Sequence, residues 1–482
     1  MLDRRRTLLT FVVTSIALFM VSLDNLVVTT ALPVIRLDLH ANLAQLEWVV
    51  NAYTLTFAVL LLTGAALGDR FGRKRMFTIG VAVFTAGSAM AALSPNGDVL
   101  VIARAIQGLG AAIVMPLTLT LLSAAVPAER RGLALGFWGG ISGLAIAVGP
   151  LVGGAIVDGL DWHWIFWLNV PVGIVLVPFA IVALRESHGR DAALDLPGLA
   201  LVSGGLFALV WALIHGNGDG WTAPNILGAF ATAAVLLPAF IVRQARTPRP
   251  MLPLRFFRSR SFSAANGVSF LMSFGVFGAI FLLAQFFQLV QGYSPFEAGL
   301  RTLPWTGMPI LVAPIAGVLS DRIGGRPLLV TGMALMASGL AWFAAMSSPT
   351  VPYLALVPAL VLSGVGMSLF FAPTANLVLS AVRPEEEGLA SGANNTIREV
   401  GGVFGVAILA SVFSASGGYA SPQAFVDGLT PALWLGAAVV AAGAVVALAI
   451  PGRRRPVISL ELPARPAMGD LAYVREESSR GS

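Results

Sequence analysis

Apolar runs long enough to cross ~30 Å of hydrocarbon as helices fill most of the chain, and short polar breaks separate them. They fall near 8–32, 47–67, 76–94, 99–122, 132–157, 164–184, 198–214, 223–242, 265–290, 300–319, 327–346, 352–381, 389–414 and 431–450, which predicts fourteen spans. The first follows basic residues, as a signal peptide would, but it continues past Asp24 without a small-residue cleavage pattern and reads as a retained helix. An even count puts both termini on one side. The loops of that side hold Arg4–Arg6, Arg70–Arg75, Arg130, Arg131, Arg185, Arg190, the run from Arg243 to Arg260, Arg322, Arg326, Arg383 and Arg453–Arg455. The opposite loops hold little beyond Arg36 and Arg301. Arginine-rich loops stay cytoplasmic, so both termini are expected inside the cytoplasmic membrane.

One polar break occurs twice. LGDRFGRKR at Leu67–Arg75 recurs as LSDRIGGR at Leu319–Arg326, matching Asp69, Arg70 and Gly72 to Asp321, Arg322 and Gly324 at an offset of 252 residues. Gly108 and Gly110 match Gly364 and Gly366, and Gly132–Gly136 matches Gly388–Gly392, at an offset of 256. One four-residue insertion accounts for the change. The pattern predicts an all-α integral membrane protein of two pseudo-symmetric six-helix bundles. The expected divisions are a first bundle over 1–190, two inserted helices with a basic linker over 191–262, a second bundle over 263–452, and a disordered tail over 453–482.

Composition agrees: 57% hydrophobic and 11% charged residues do not describe a water-facing surface, and the mean hydropathy is +0.83. No cysteine is present, so disulfides and thiolate metal sites are excluded, and neither metal nor cofactor is expected. The net charge of +6 does not point to nucleic acid, because the basic residues sit between spans and not on one face. His40, His163, His188 and His215 all fall in loops and no HExxH occurs, which disfavours an intramembrane enzyme.

A charge at the bilayer centre costs roughly 2.5–3.5 kcal/mol on insertion scales and needs a reason. Asp24 lies ~12 Å from the outer end of the first span and Arg104 ~8 Å into the fourth, at 1.5 Å per residue. At similar depth they suit one cavity, with the arginine holding the carboxylate charged until substrate or a conformational change alters the pairing; a fixed ion pair that lets both helices insert is the alternative. The equivalent positions of the second repeat are Val276 and Leu360, so coupling chemistry belongs to the first half. Arg398 and Glu399 enter the thirteenth span and either line a cavity or brace an interface; as neighbours ~100° apart on a helix they need not pair.

The fifth span carries Gly139, Gly143, Gly149, Pro150, Gly153 and Gly154, spaced for close helix approach and a bend. Ordinary small-residue packing would explain the isolated GxxxG, but less easily the GPxxGG cluster. In the repeated loop, Asp69 is placed to brace a neighbouring helix end, with Arg70 and Arg73 on the cytoplasmic face as a latch. Positive-inside anchoring explains the arginines but neither Asp69 nor Gly72.

Together these residues resemble the fourteen-helix drug:proton antiporters of the major facilitator superfamily. The resemblance is carried by LDNLVVTTALP from Leu23, WVVNAYTL from Trp48, GDRFGRKR, RAIQGLGAA from Arg104, GPLVGG from Gly149, WHWIFWLNVPVG from Trp162, GYSPFEAGLRTLP from Gly292 and NNTIREVGGVFGVA from Asn394. It covers nearly the whole chain. The resemblance implies alternating access, with Asp24 in the proton-linked role, Arg104, Gln107 and Gly108 in the fourth-helix motif, and Gly149 and Pro150 in the antiporter signature. One departure is Ala65, where the loop motif usually has glycine.

Phe270, Phe274, Phe277 and Phe281 share a face of the ninth span, with Gln285 and Gln288 beyond. An aromatic wall near a carboxylate suits a hydrophobic or amphipathic, often cationic solute; a lipid-facing stripe is the alternative. The expected substrate cavity is lined by Phe270, Phe274, Phe277, Gln285, Arg398 and Glu399. The expected function is proton-coupled export of drugs, antibiotics or toxic metabolites, with protons, the substrate and the bilayer as partners and a monomer as the working state. An exporter of one lipid, siderophore or self-made metabolite, or an uptake symporter of the same fold, stays open.

Overall fold

A backbone inside hydrocarbon has no water to satisfy its N–H and C=O groups, so each apolar run must close its hydrogen bonds within itself as a helix. The computed structural model describes residues 2–126, 131–188, 195–248, 250–383 and 386–452, without the side chains of 2–5, 123, 131–140, 142–143, 146–147, 321 and 388. The first six spans are α1 Leu2–Asp38, α2 Leu43–Phe71, α3 Arg73–Ala92, α4 Gly97–Ala125, α5 Arg131–Gly159, and a sixth broken into α6 Trp164–Trp167 and α7 Asn169–Ala183. The next pair is α8 Leu196–Asp219 and α9 Pro224–Arg246. The last six are α10 Arg260–Gln285, which continues as a π turn over Phe286–Val290; a tenth span broken into α11 Pro295–Thr306 and α12 Met308–Ile323; α13 Gly325–Met346; α14 Tyr353–Leu379; α15 Glu387–Ser416; and α16 Pro422–Leu448.

Among the described residues thirteen helices are long and apolar enough to cross a membrane. The fifth predicted span is α5, whose described apolar stretch is Val148–Gly159. The tail over 453–482, the boundary near residue 190 and the side chain of Asp321 lie outside the described residues.

The two copies of the arginine loop share a backbone feature. Gly72 closes α2 and opens α3 at φ +103°, and Gly324 does the same between α12 and α13 at φ +87°. An L side chain pays ~1–2 kcal/mol in that half of backbone space, so glycine lets two spans turn sharply into one another.

α2 packs on α4, α3 on α4 and α7, and α1 on α5; later in the chain α13 packs on α14 and α16, and α10 on α15 and α16. Gly108 and Gly364, equivalent by sequence, each meet a neighbouring backbone carbonyl, of Tyr53 and of Trp305. Three seams join the early spans to the late ones: α5 against α11, α2 against α15, and α1 against α10. In the first, the glycine face of α5 does the joining: a side chain at Gly154 would strike Phe296 Cα at 2.7 Å, and one at Gly299 would strike the Pro150 carbonyl carbon at 2.9 Å. α8 lies over the second seam, its Leu206, Val210 and Ile214 packing with Leu55 and Val59 of α2 and Val403 and Ala407 of α15.

Candidate functional site

The predicted charges meet inside the first six spans. Arg104 Nη1 donates to Asp24 Oδ2 and, at 2.9 Å, to Gln107 Oε1. The other carboxylate oxygen accepts from Gln107 Nε2 at 3.1 Å and from Asn169 Nδ2 at 2.8 Å. Gln107 Nε2 also reaches Ser88 Oγ at 2.7 Å, and Arg104 Nε donates to the Val49 carbonyl at 3.1 Å. The guanidinium lies 4.3 Å from the Tyr53 ring centroid, and the Tyr53 hydroxyl donates to the Val21 carbonyl at 3.2 Å. The Asp24 and Arg104 side chains are each 1% exposed.

Spans one and four therefore supply the ion pair, spans two and six place groups on it, and span three reaches it through Gln107. Arg104 and Gln107 are three residues apart on α4 and share its face. Both carboxylate oxygens are matched by donors, which is how a buried charge is tolerated. The slots equivalent to Asp24 and Arg104 in the second repeat hold Val276 and Leu360, buried in an apolar core at 4% and 1% exposure.

Asn169, Ser88 and Tyr53 were not singled out from the sequence. Asn169 left a signal: it is the one strongly polar side chain between His163 and Arg185.

The other predicted residues do not gather at this pair. Phe270 packs on Phe404 at 5.8 Å between centroids, Phe277 lies beside Gly402, and Phe274 is buried, so the aromatic stripe meets α15. Gln285 is fully buried, accepting from the Tyr419 hydroxyl at 2.6 Å. Arg398 and Glu399 pair with each other at 3.1 Å, because the arginine's length spans the angle between neighbouring positions. A small crevice lies elsewhere, between α1, α5, α10 and α11, lined by Thr29, Thr30, Pro150, Leu283, Thr302 and Trp305 among others.

Asp69 pairs across the Gly72 turn with Arg73 at 2.7 Å. The chain is fastened there by Glu186, unremarked in the sequence, whose carboxylate accepts from the backbone N–H of Lys74 at 2.9 Å and of Arg75 at 3.2 Å. It thus caps the start of α3 and answers the positive end of its dipole. Arg70 lies over Phe71 at 5.4 Å, and Arg322 is exposed.

At the opposite, arginine-poor end, Ser294 Oγ donates to Asp158 at 2.9 Å and Gln288 Nε2 to the Thr30 carbonyl at 2.8 Å. The Arg36 guanidinium stacks 3.6 Å above the Tyr419 ring. Burial pushes the Tyr419 phenol above its ordinary pKa, and Arg36 opposes it. Among the described residues no group of three or more side chains is arranged to ligate a metal.

The chain matches the family model of the major facilitator superfamily over residues 14–406 and 267–473. It is 35% identical over 427 residues to the tetracenomycin C resistance and export protein of Streptomyces glaucescens, covering 88% of this chain and 79% of that one. To the multidrug resistance protein Stp of Mycobacterium tuberculosis it is 37% identical over 413 residues, covering 85% and 76%. The crystal structure of a D-xylose-proton symporter aligns with a TM-score of 0.66 over 92% of this chain and 98% of that one at 15% identity, a likeness of fold alone.

Proposed function

The chain belongs to the major facilitator superfamily, and from that premise we propose that it exports hydrophobic, often cationic drugs, antibiotics or toxic metabolites in exchange for protons. That it is an efflux transporter follows from relatives named for multidrug, tetracenomycin, methylenomycin and puromycin resistance or export. Proton exchange is our reading of one observation: a carboxylate buried in a membrane span and met by Arg104, Gln107 and Asn169.

A proton arriving on Asp24 removes the charge that Arg104 answers. The guanidinium then turns to its remaining acceptors on Val49 and Gln107, and α1 is released from α4. Bundles over 1–190 and 263–452 rock on the α5–α11, α2–α15 and α1–α10 seams. The bonds at the arginine-poor end hold that side shut, as in a state open to the cytoplasm, where both termini lie. Substrate enters from that side between the two bundles, where Phe270 and Phe277 of α10 and the Arg398–Glu399 pair of α15 are the side chains proposed to meet it. The superfamily is one of transporters and not of enzymes, and one chain carries every residue named, so a monomer suffices.

Purified protein in vesicles acidified inside tests the reading. A cationic dye should accumulate inside against its gradient as protons leave. Dye leaving preloaded vesicles instead marks symport, and no proton-dependent movement overturns the coupling.

A further inference from the structure

Glu47 is 2% exposed, and Asn51, one turn further along α2, is fully buried. Glu47 Oε2 and both polar side-chain atoms of Asn51 meet no hydrogen-bond partner among the described residues. The Asp24 cluster uses neither residue. Their face of α2 continues through Leu55 and Val59, which pack on α15 and α8. At the arginine-poor end of the same seam, Tyr419 bonds Gln285 and carries Arg36 on its ring. The two unpartnered groups thus lie where the early spans close on the late ones, under the cover of α8.

A carboxylate buried without a partner is strongly disfavoured even after relaxation; an uncharged polar group costs much less. The charged and titratable groups with described side chains on the elements packed against α2 are Arg6, Asp24, Arg36 and Asp38 on α1, Arg73, Lys74 and Arg75 on α3, Asp98 and Arg104 on α4, His215 and Asp219 on α8, and Glu387, Arg398 and Glu399 on α15, with Tyr419 beyond it. None of the ion pairs among the described residues includes Glu47: Arg104 is committed to Asp24, Arg73 to Asp69 and Arg398 to Glu399. A proton is the ligand that makes the group tolerable in so close a seam.

We propose that Glu47, beside Asn51, is a second proton-binding site, separate from Asp24, which must be occupied before the arginine-poor side closes. It rests on the alternating-access reading above. When that side opens, water reaches Glu47 and the proton leaves; when it shuts, a proton must be taken up first.

The chain has no cysteine, so spin labels can be placed by Leu93→Cys and Leu354→Cys, at exposed residues on the arginine-poor ends of α3 and α14. Their separation is measured by electron–electron resonance in reconstituted protein from about pH 5 to 9. The closed-to-open ratio should fall on the order of tenfold as pH rises. Glu47→Gln, which stays uncharged, should remain closed throughout, Glu47→Asp should restore the response, and Asp24→Asn should leave the Glu47-dependent part in place. A Glu47→Gln protein that opens with pH as the unsubstituted one does overturns the proposal. So does an unsubstituted protein whose separation answers to substrate but not to pH. A separation fixed under every condition, substrate included, overturns the alternating-access reading itself.

Discussion

Asn169 holds Asp24 across 145 positions of sequence, its amide nitrogen 2.8 Å from the carboxylate. The sixth span thereby fixes an oxygen that the fourth-span arginine leaves to amides. Asn169→Ala should cost ~1–3 kcal/mol, the price of leaving a buried acceptor short of a donor. It should also move the pH profile of transport while leaving the protein inserted. Thermal unfolding in detergent and a proton-driven uptake curve across pH check the two effects.

Asp24→Asn should abolish proton-driven export with little loss of folded protein, because the isosteric amide keeps the space and some of the hydrogen bonds. Arg104→Ala should differ: removing one partner of a buried pair costs ~3–5 kcal/mol, so lost transport comes with a lower unfolding temperature. Full export by Asp24→Asn in vesicles would remove that residue from the mechanism.

Gly154 and Gly299 should not tolerate bulk. A leucine at either forces α5 from α11, where backbone already meets backbone, and should stop transport with the arginine-poor end held ajar. Protease or thiol accessibility at that end, compared with the unsubstituted protein, reads the effect.

Gly72→Ala should cost at least ~1–2 kcal/mol through its backbone angle alone. More is lost because the new methyl would lie 2.7 Å from the Glu186 carboxyl carbon and push away the cap of α3. Gly324→Ala bears the backbone penalty without Glu186, so its unfolding temperature should fall less.

Asp195 offers a titration outside the spans. Burial raises its pKa, but the Gly198 N–H, Arg243 and Gln244 outweigh it and hold the carboxyl below its ordinary 3.8. A depressed folded value means the stabilisation is complete above the ordinary pKa and is lost as pH falls below it. Acid melting of the unsubstituted protein should show that loss, and Asp195→Asn should be less stable at neutral pH and flatter in acid.

The fourteen spans, the repeated turn and the Asp24–Arg104 pair could be read from the chain because each is a local quantity: the length of an apolar run, a spacing, a depth counted in residues. Asn169 and Ser88 could not, since a lone amide or hydroxyl in an apolar helix looks the same whether or not it points at a charge. The phenylalanines of α10 share a face by periodicity, yet periodicity does not say what covers that face; α15 does. Glu47 sits at the first residue of its predicted span and so passed as an end residue, whereas α2 begins at Leu43 and carries it inside.

α8 touches α2 and α15 at the same level, and Arg243 of α9 bonds Asp195 at the base of α8 at 2.7 Å, tying the two added helices together. A rigid pair resting on both banks of a seam cannot follow both when they part. With the bundles rocking as proposed, each cycle would peel the pair from one bank and let lipid tails fill the strip left bare, so turnover in this protein should depend on the thickness and fluidity of the bilayer around it.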